Sequence, residues 1–258
     1  MAAGRLKDRV VIVTGGARGI GRSYALAVAE EGARVLIADL AEGAEAVGAI
    51  QARGGVACYC RTDVSDETSA AAMARAALEQ LGGIDVLINN AALYRGLVLR
   101  PFIEISGEEW DRMMAVNLRG LFYCAKAVFP TMKARTAGKI INIASSAIHQ
   151  GMPGMLHYVT SKAGVVGFTR AMAREVGRWG ITVNAVAPGY VLDEASRGLD
   201  ADKRLPFRPL DEIARQARCL KRDQVEADLV GTILYLCSAD SDFLTGQLIT
   251  VDGGDSLY

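Results

Sequence analysis

Apolar and polar positions follow one another along this chain in two rhythms. Short runs rich in β-branched and other apolar residues, at 10–14, 34–39, 56–61, 85–89, 139–144, 181–187 and 247–251, read as strands. Between them apolar residues recur at helical spacing, as in 18–31, where alanines gather on one face. Two of the runs, Val86-Leu87-Ile88 and Ile140-Ile141-Asn142-Ile143, are apolar almost throughout rather than alternating. A strand needs that pattern when both faces of its sheet are covered. The alternation therefore predicts an α/β fold, a Rossmann-type doubly wound parallel sheet of about seven strands flanked by helices, in a single domain over 1–258. Segment 192–222 breaks the alternation, is highly charged and contains Pro206 and Pro209, which marks it as a substrate lid within that domain. No repeat, low-complexity tract or composition shift divides the chain.

Composition narrows the function classes. The chain has 258 residues, 51% of them hydrophobic and 22% charged, enough apolar surface for one large core. Lys+Arg and Asp+Glu are balanced at 29 each, and no stretch concentrates positive charge, so nucleic acid is not an expected partner. The five cysteines are odd in number and lack C-x-x-C spacing, which predicts reduced, mostly buried thiols and no metal site. Residues 1–10 carry charge without an apolar signal core, so a cytoplasmic location is expected. The interval between Lys139 and Lys162 lacks Asp, Glu, Lys and Arg, but its Asn142, Gln150, Pro153 and two histidines are unsuited to a membrane span.

Candidate chemistry begins at 14–21, TGGARGIG, between the first strand and first helix. There Gly15 permits a tight turn, Gly19 lets the backbone approach a pyrophosphate, and Gly21 allows close helix packing; Arg18 and Ile20 complete the loop. The helix N-terminus adds free N–H groups and a positive dipole end. Asp39 closes the second strand 18 residues after Gly21, where a carboxylate accepts hydrogen bonds from an adenosine ribose and repels a 2′-phosphate. This favours NAD over NADP, although Arg18 offers a countervailing positive charge. Asp63 and Val64 follow the third strand and Asn89-Asn90-Ala91-Ala92 the fourth, at the strand ends where ligands bind in such sheets. Asp63 suits a cap for the helix starting near Asp66 as well as an adenine contact, and Asn89 and Asn90 suit backbone organisation.

Tyr158 and Lys162 lie four apart in a predicted helix over 157–176, hence on one face. Ser145 ends the fifth strand, and the segment Gly151 to Gly154 can fold back toward it. Alcohol oxidation needs a base for the hydroxyl proton, and an ordinary tyrosine at pKa ~10 is about 3 units too weak an acid near pH 7. About 4 kcal/mol of differential stabilisation is required, which Lys162 and an oxidised nicotinamide supply together. In this reading Ser145 orients the substrate oxygen and Tyr158 exchanges the proton, with no metal.

These motifs, with Asn117, Pro188-Gly189, Val191 and the terminal Val251-Asp252-Gly253-Gly254, resemble the short-chain dehydrogenase/reductase family from about Leu6 to Gly254. The resemblance implies a homotetramer and a role for Asn117, which holds a helix opening and a water in a proton relay through Lys162. Read from its neighbours alone, Asn117 is a polar surface residue. Two positions depart from the family pattern: Ala92 replaces a usual glycine, and Asp193 stands where a threonine commonly contacts the nicotinamide end of the cofactor. Helix capping is the first-ranked role for Asp193. The substrate pocket is expected among Tyr94, Ala147, Gln150, Met155, Tyr190 and the lid, which suits a small hydrophobic secondary alcohol or its ketone. Arg197, Arg208 and Arg215 fit a solvated helical face better than an anion site. The competing readings are a non-catalytic dinucleotide-binding regulator and a reductase of a 3-oxoacyl or carboxylated substrate. A cofactor-free dehalogenase would need an arginine in place of Lys162 and an eroded glycine loop, and neither is present.

Overall fold

The computed structural model describes residues 4–193, 196, 200–201 and 210–257. Its centre is a seven-stranded parallel sheet, built from β1 (Val10–Thr14), β2 (Arg34–Asp39), β3 (Val56–Arg61), β4 (Val86–Asn89), β6 (Gly138–Ile143), β7 (Ile181–Pro188) and β9 (Leu248–Val251). The order across the sheet is β3-β2-β1-β4-β6-β7-β9, so the winding reverses between β1 and β4. A crevice opens at the C-terminal ends of the strands on either side of such a reversal. The sheet and its seven strands agree with the sequence pattern.

Both faces of the sheet are covered, which explains the continuous apolar strands. On one face α1 (Gly19–Glu30), α2 (Ala44–Gln51) and a late helix, Ala227–Cys237, bury Tyr24, Ile50 and Ile233 against Val11, Val13, Val35 and Ile37. On the other, α3 (Glu67–Leu81), α5 (Gly120–Ala134) and α7 (Leu156–Val176) bury Met73, Val128 and Val176 against Ile12, Leu36, Leu87 and Ile140. Each fully buried Val, Leu or Ile side chain contributes roughly 1.5–3 kcal/mol by leaving water.

Helix ends follow local chemistry. Asp66 caps α3, accepting the Ser69 N–H at 2.7 Å, and Gly82 ends it in the left-handed region. Asp63 therefore does not cap this helix; its Oδ1 holds the N–H and hydroxyl of Ser65 in the preceding turn. Helix α4 (Gly107–Met114) and α5 are joined by a π-helical turn, Ala115–Arg119, which the residue pattern does not reveal.

The cysteine expectation needs correction. All five are free, but only Cys124 and Cys237 are buried, while Cys58 and Cys60 are half-buried on the edge strand β3 and Cys219 is exposed. No helix among the described residues is long and apolar enough to cross a membrane. Within the expected lid, a short strand β8 (Asp200–Ala201) pairs in parallel with β5 (Val98–Leu99), and α8 spans Leu210–Ala217. On α8, Arg215 pairs with Asp223 at 3.1 Å and Asp211 at 3.5 Å, while Arg197 and Arg208 lie outside the described residues.

Candidate active site

A cleft of about 460 Å³ runs along the C-terminal ends of the strands, within the usual range for a ligand site. One end is formed by the glycine loop after β1. Gly15 and Gly19 hold positive φ of 65° and 53°, the region L side chains rarely occupy. A methyl group at Gly19 would project into the cleft, with only Asp193 Oδ2 within 4 Å, at 3.3 Å. At Gly21 it would lie 2.5 Å from Asn90 Nδ2 and overlap the Gly15 carbonyl. Helix α1 begins here with no side-chain cap, no acidic residue in its first turn, and Arg18 exposed at the N-cap. Free N–H groups on a backbone open to the cleft are what a diphosphate requires, so the residues fit a dinucleotide.

The surrounding residues keep that loop in place. Asp39 turns both carboxylate oxygens onto backbone, Oδ2 accepting the Ala17 N–H at 3.0 Å and Oδ1 the Ala41 N–H at 2.9 Å, while remaining on the cleft wall. Asn90 donates from Nδ2 to the carbonyls of Thr14 and Gly15 at 3.0 and 3.1 Å, and Asn89 donates to Asn142 Oδ1 at 3.0 Å. Thr14 Oγ1 accepts the N–H groups of Asn90 and Ala91 and donates to Ile88 O, joining the ends of β1 and β4. Ile20, Asp63, Val64, Pro188, Gly189 and Val191 line the same cleft.

At the other end the structure brings Ser145, Tyr158 and Lys162 together. Ser145 follows β6, its Oγ accepting the Ala147 N–H at 3.3 Å, and it lines the cleft beside Tyr158, near enough to hold down the upward shift of that hydroxyl. Lys162, one turn along α7, donates to Ile143 O at 2.7 Å, with Nζ 5.8 Å from the centre of the Tyr158 ring. Both residues are buried. Burial pushes the Tyr158 hydroxyl up to about 12 against the Ser145 contact, and lowers Lys162 to about 8. The protein's own groups thus move Tyr158 away from phenolate, so the stabilising charge expected from Lys162 is not sufficient by itself.

That lysine has a measurable signature. Unfolded, it keeps its proton to about 10.5; folded, it sheds it near 8, so the increment it adds to stability is present above 10.5 and lost as pH falls through 8. Relative to Lys162→Met, the native ligand-free protein is expected to gain roughly 3 kcal/mol in unfolding free energy between pH 7 and 10.5. Urea denaturation of both proteins across that range checks this, and parallel pH profiles would refute it.

Asn117 corrects the reading from its sequence neighbours. It is 3% exposed, because the π-helical turn rotates it into the core. Its Oδ1 accepts the Leu93 N–H at 2.7 Å, its Nδ2 donates to Ser161 Oγ at 3.1 Å, and Ser161 donates to the carbonyl of Tyr158 at 2.7 Å. A small cavity of about 10 Å³ is bounded by Asn117, Lys162 and Asn89, whose Oδ1 has no hydrogen-bond partner.

The mouth around Tyr158 is largely apolar. The Tyr94 ring lies 5.4 Å from that of Tyr158, tilted by 44°, and Met155, Ala147, Leu93 and Met152 pack beside it. Gln150 reaches the cleft, but its amide is held by the Asp255 carboxylate; Tyr190 donates to Ser196 O at 3.3 Å. Leu93, Met152 and exposed Arg112 also line the cleft without having been anticipated, since a lone apolar or basic residue in a helix or turn carries no local signal. Asp193 and Ser196 bond reciprocally, as in a capping box: Asp193 Oδ1 accepts the Ser196 N–H at 2.8 Å, and Ser196 Oγ accepts the Asp193 N–H at 3.0 Å.

Residues 15–256 match the family described as Enoyl-(Acyl carrier protein) reductase. The chain is 38% identical over 250 residues to the 3-oxoacyl-[acyl-carrier-protein] reductase FabG of Staphylococcus epidermidis, covering 96% of this chain and 98% of the relative. It is 38% identical over 256 residues to galactitol 2-dehydrogenase of Agrobacterium fabrum, covering 97% and 98%. The crystal structure of levodione reductase superposes with a TM-score of 0.89 at 30% identity, covering 98% of this chain and 100% of that one. With a glycine-loop cleft at the sheet reversal and Ser145, Tyr158 and Lys162 at its far end, the chain belongs to the short-chain dehydrogenase/reductase family of nicotinamide-dependent oxidoreductases.

Proposed function

We propose that this protein interconverts a small hydrophobic secondary alcohol and its ketone with NAD(H). The observation that carries the reading is the convergence of Ser145 and Tyr158 at the apolar end of the cleft, with Lys162 on the same helical face as Tyr158. A bound nicotinamide dinucleotide supplies the hydride acceptor or donor. The glycine loop and α1 hold its diphosphate, and the Ser145 hydroxyl orients the substrate oxygen. Tyr158 takes the alcohol proton or returns it to the ketone. Lys162 favours the anionic form of the tyrosine while it retains its own proton, and Asn117, which shares a small cavity with it, fixes the π-turn behind the pair. Tyr94, Met155 and Met152 exclude water from the reacting oxygen. A spectrophotometric screen of secondary alcohols with NAD and NADP tests the reading; no turnover across a broad panel would favour a regulatory protein.

Asp39 favours NAD. One like-charge pair at ~4 Å costs about 4 kcal/mol at an effective dielectric of about 20, so a 2′-phosphate against this carboxylate is strongly disfavoured. Arg18 offsets part of that cost. Asp39→Asn keeps an acceptor for one backbone N–H and removes the charge, and is expected to raise kcat/KM with NADP relative to NAD by on the order of 30-fold. Higher efficiency with NADP in the native protein would end this claim.

A second reading, reduction of a 3-oxoacyl group, is supported by the name of the Staphylococcus epidermidis relative and by Arg112 at the cleft, a cation available to an acidic carrier. Comparing a 3-oxoacyl thioester with cyclic and aromatic ketones separates the two. The expected lid, segment 192–222, is entered from the cleft by way of Tyr190, Val191 and Asp193, and its residues 194–195, 197–199 and 202–209 lie outside the described residues. The homotetramer implied by the family is checked by sedimentation.

A further inference from the structure

We propose that Asp193 selects the redox state of the cofactor, holding the oxidised, cationic dinucleotide more tightly than the reduced one and so favouring alcohol oxidation. The inference rests on the reading of the cleft as a nicotinamide dinucleotide site. Asp193 is 7% exposed and lines the cleft, and its two carboxylate oxygens do different things. Oδ1 is tied to the Ser196 N–H at 2.8 Å, so the carboxylate is held rather than free to swing into solvent. Oδ2 faces Gly19, where a methyl group would meet it at 3.3 Å. The negative charge is also felt by the hydroxyls of Tyr94 and Tyr190, and the Tyr94 ring is 5.4 Å from that of Tyr158. The carboxylate thus stands on the wall of the cleft next to the glycine loop, in the same cleft that Tyr158 and Tyr94 line.

Two electrostatic effects follow, and they separate cleanly. Proximity to Gly19 weakens the binding of any diphosphate, whatever is attached to it. A negative charge on the wall of the same cleft favours a positive ring over a neutral one, and only this effect distinguishes NAD⁺ from NADH. In a half-enclosed cleft one charge acting on another at ~8–10 Å shifts relative affinity by on the order of tenfold. Capping alone requires an acceptor at Oδ1 but not a charge, because Asn and Ser cap as well as Asp.

The experiment measures dissociation constants of NAD⁺, NADH and ADP-ribose by calorimetry and NADH fluorescence, for the native protein, Asp193→Asn and Asp193→Ser. The native protein is expected to bind NAD⁺ on the order of tenfold more tightly than NADH, with the preference abolished in both variants. ADP-ribose, which has the diphosphate but no nicotinamide, should gain affinity in step with NADH. A native preference for NADH, or an NAD⁺/NADH ratio unchanged in a folded variant, overturns the proposal while leaving the dinucleotide reading intact. If the native protein binds none of the three ligands, the reading of the cleft fails and takes the proposal with it.

Discussion

Tyr158→Phe is expected to lower kcat/KM for the alcohol substrate by about 10³-fold while leaving dinucleotide affinity within about twofold. The phenyl ring keeps its packing against Tyr94 and Met155, so the substitution removes little beyond the hydroxyl. That hydroxyl lies beside Ser145 at the apolar end of the cleft and is the group proposed to exchange the proton. A factor of 10³ corresponds to about 4 kcal/mol of transition-state stabilisation, the same size as the shift required to bring a tyrosine from pKa ~10 to neutrality. Burial takes the hydroxyl further, to about 12, so the energy asked of Lys162 and the bound cofactor is larger than the sequence alone suggests. Steady-state kinetics with a fluorescence titration of NADH makes the check. Turnover within tenfold of native would remove Tyr158 from the chemistry.

Gly21→Ala is expected to weaken dinucleotide binding by about 10²-fold and to lower stability by about 1–3 kcal/mol, the usual cost of overpacking. The added methyl would overlap the Gly15 carbonyl and stand 2.5 Å from Asn90 Nδ2, which itself donates to that carbonyl at 3.1 Å. The loop must move, and its N–H groups move with it. Gly48 in α2 is the matched control, because a methyl there meets nothing within 4 Å and alanine suits a helix interior. Chemical denaturation and calorimetric titration of the two variants decide the matter: equal behaviour would show that close packing at Gly21 is not what holds the loop.

Much of the site was legible because its signals are local. The glycine loop occupies one strand-to-helix turn, and Tyr158 and Lys162 share a helical face through their spacing alone. Asp39 sits at a strand end that periodicity locates. Asn117 was misplaced as a surface residue because its burial depends on a π-helical turn, which shifts the phase that an α-helical spacing would assign. Asp63 was expected to cap the helix beginning near Asp66 or to contact adenine, and only the folded backbone showed that Asp66 itself caps while Asp63 braces the turn before it. The half-buried Cys58 and Cys60 were misjudged because an edge strand and an interior strand look alike until the sheet order is known.

The alternation of apolar runs and the short motifs determined the parallel sheet, the glycine loop and the shared helical face of Tyr158 and Lys162, since each depends on residues a few positions apart. Tertiary structure decided what depends on residues far apart in the chain. It placed the reversal between β1 and β4 and joined Asn117 to Ser161 on α7. It set the opposing shifts of Tyr158 and Lys162 by burying both, and it aimed the carboxylate of Asp193 at Gly19. Burial and through-space charge are sums over neighbours that only the folded chain brings together.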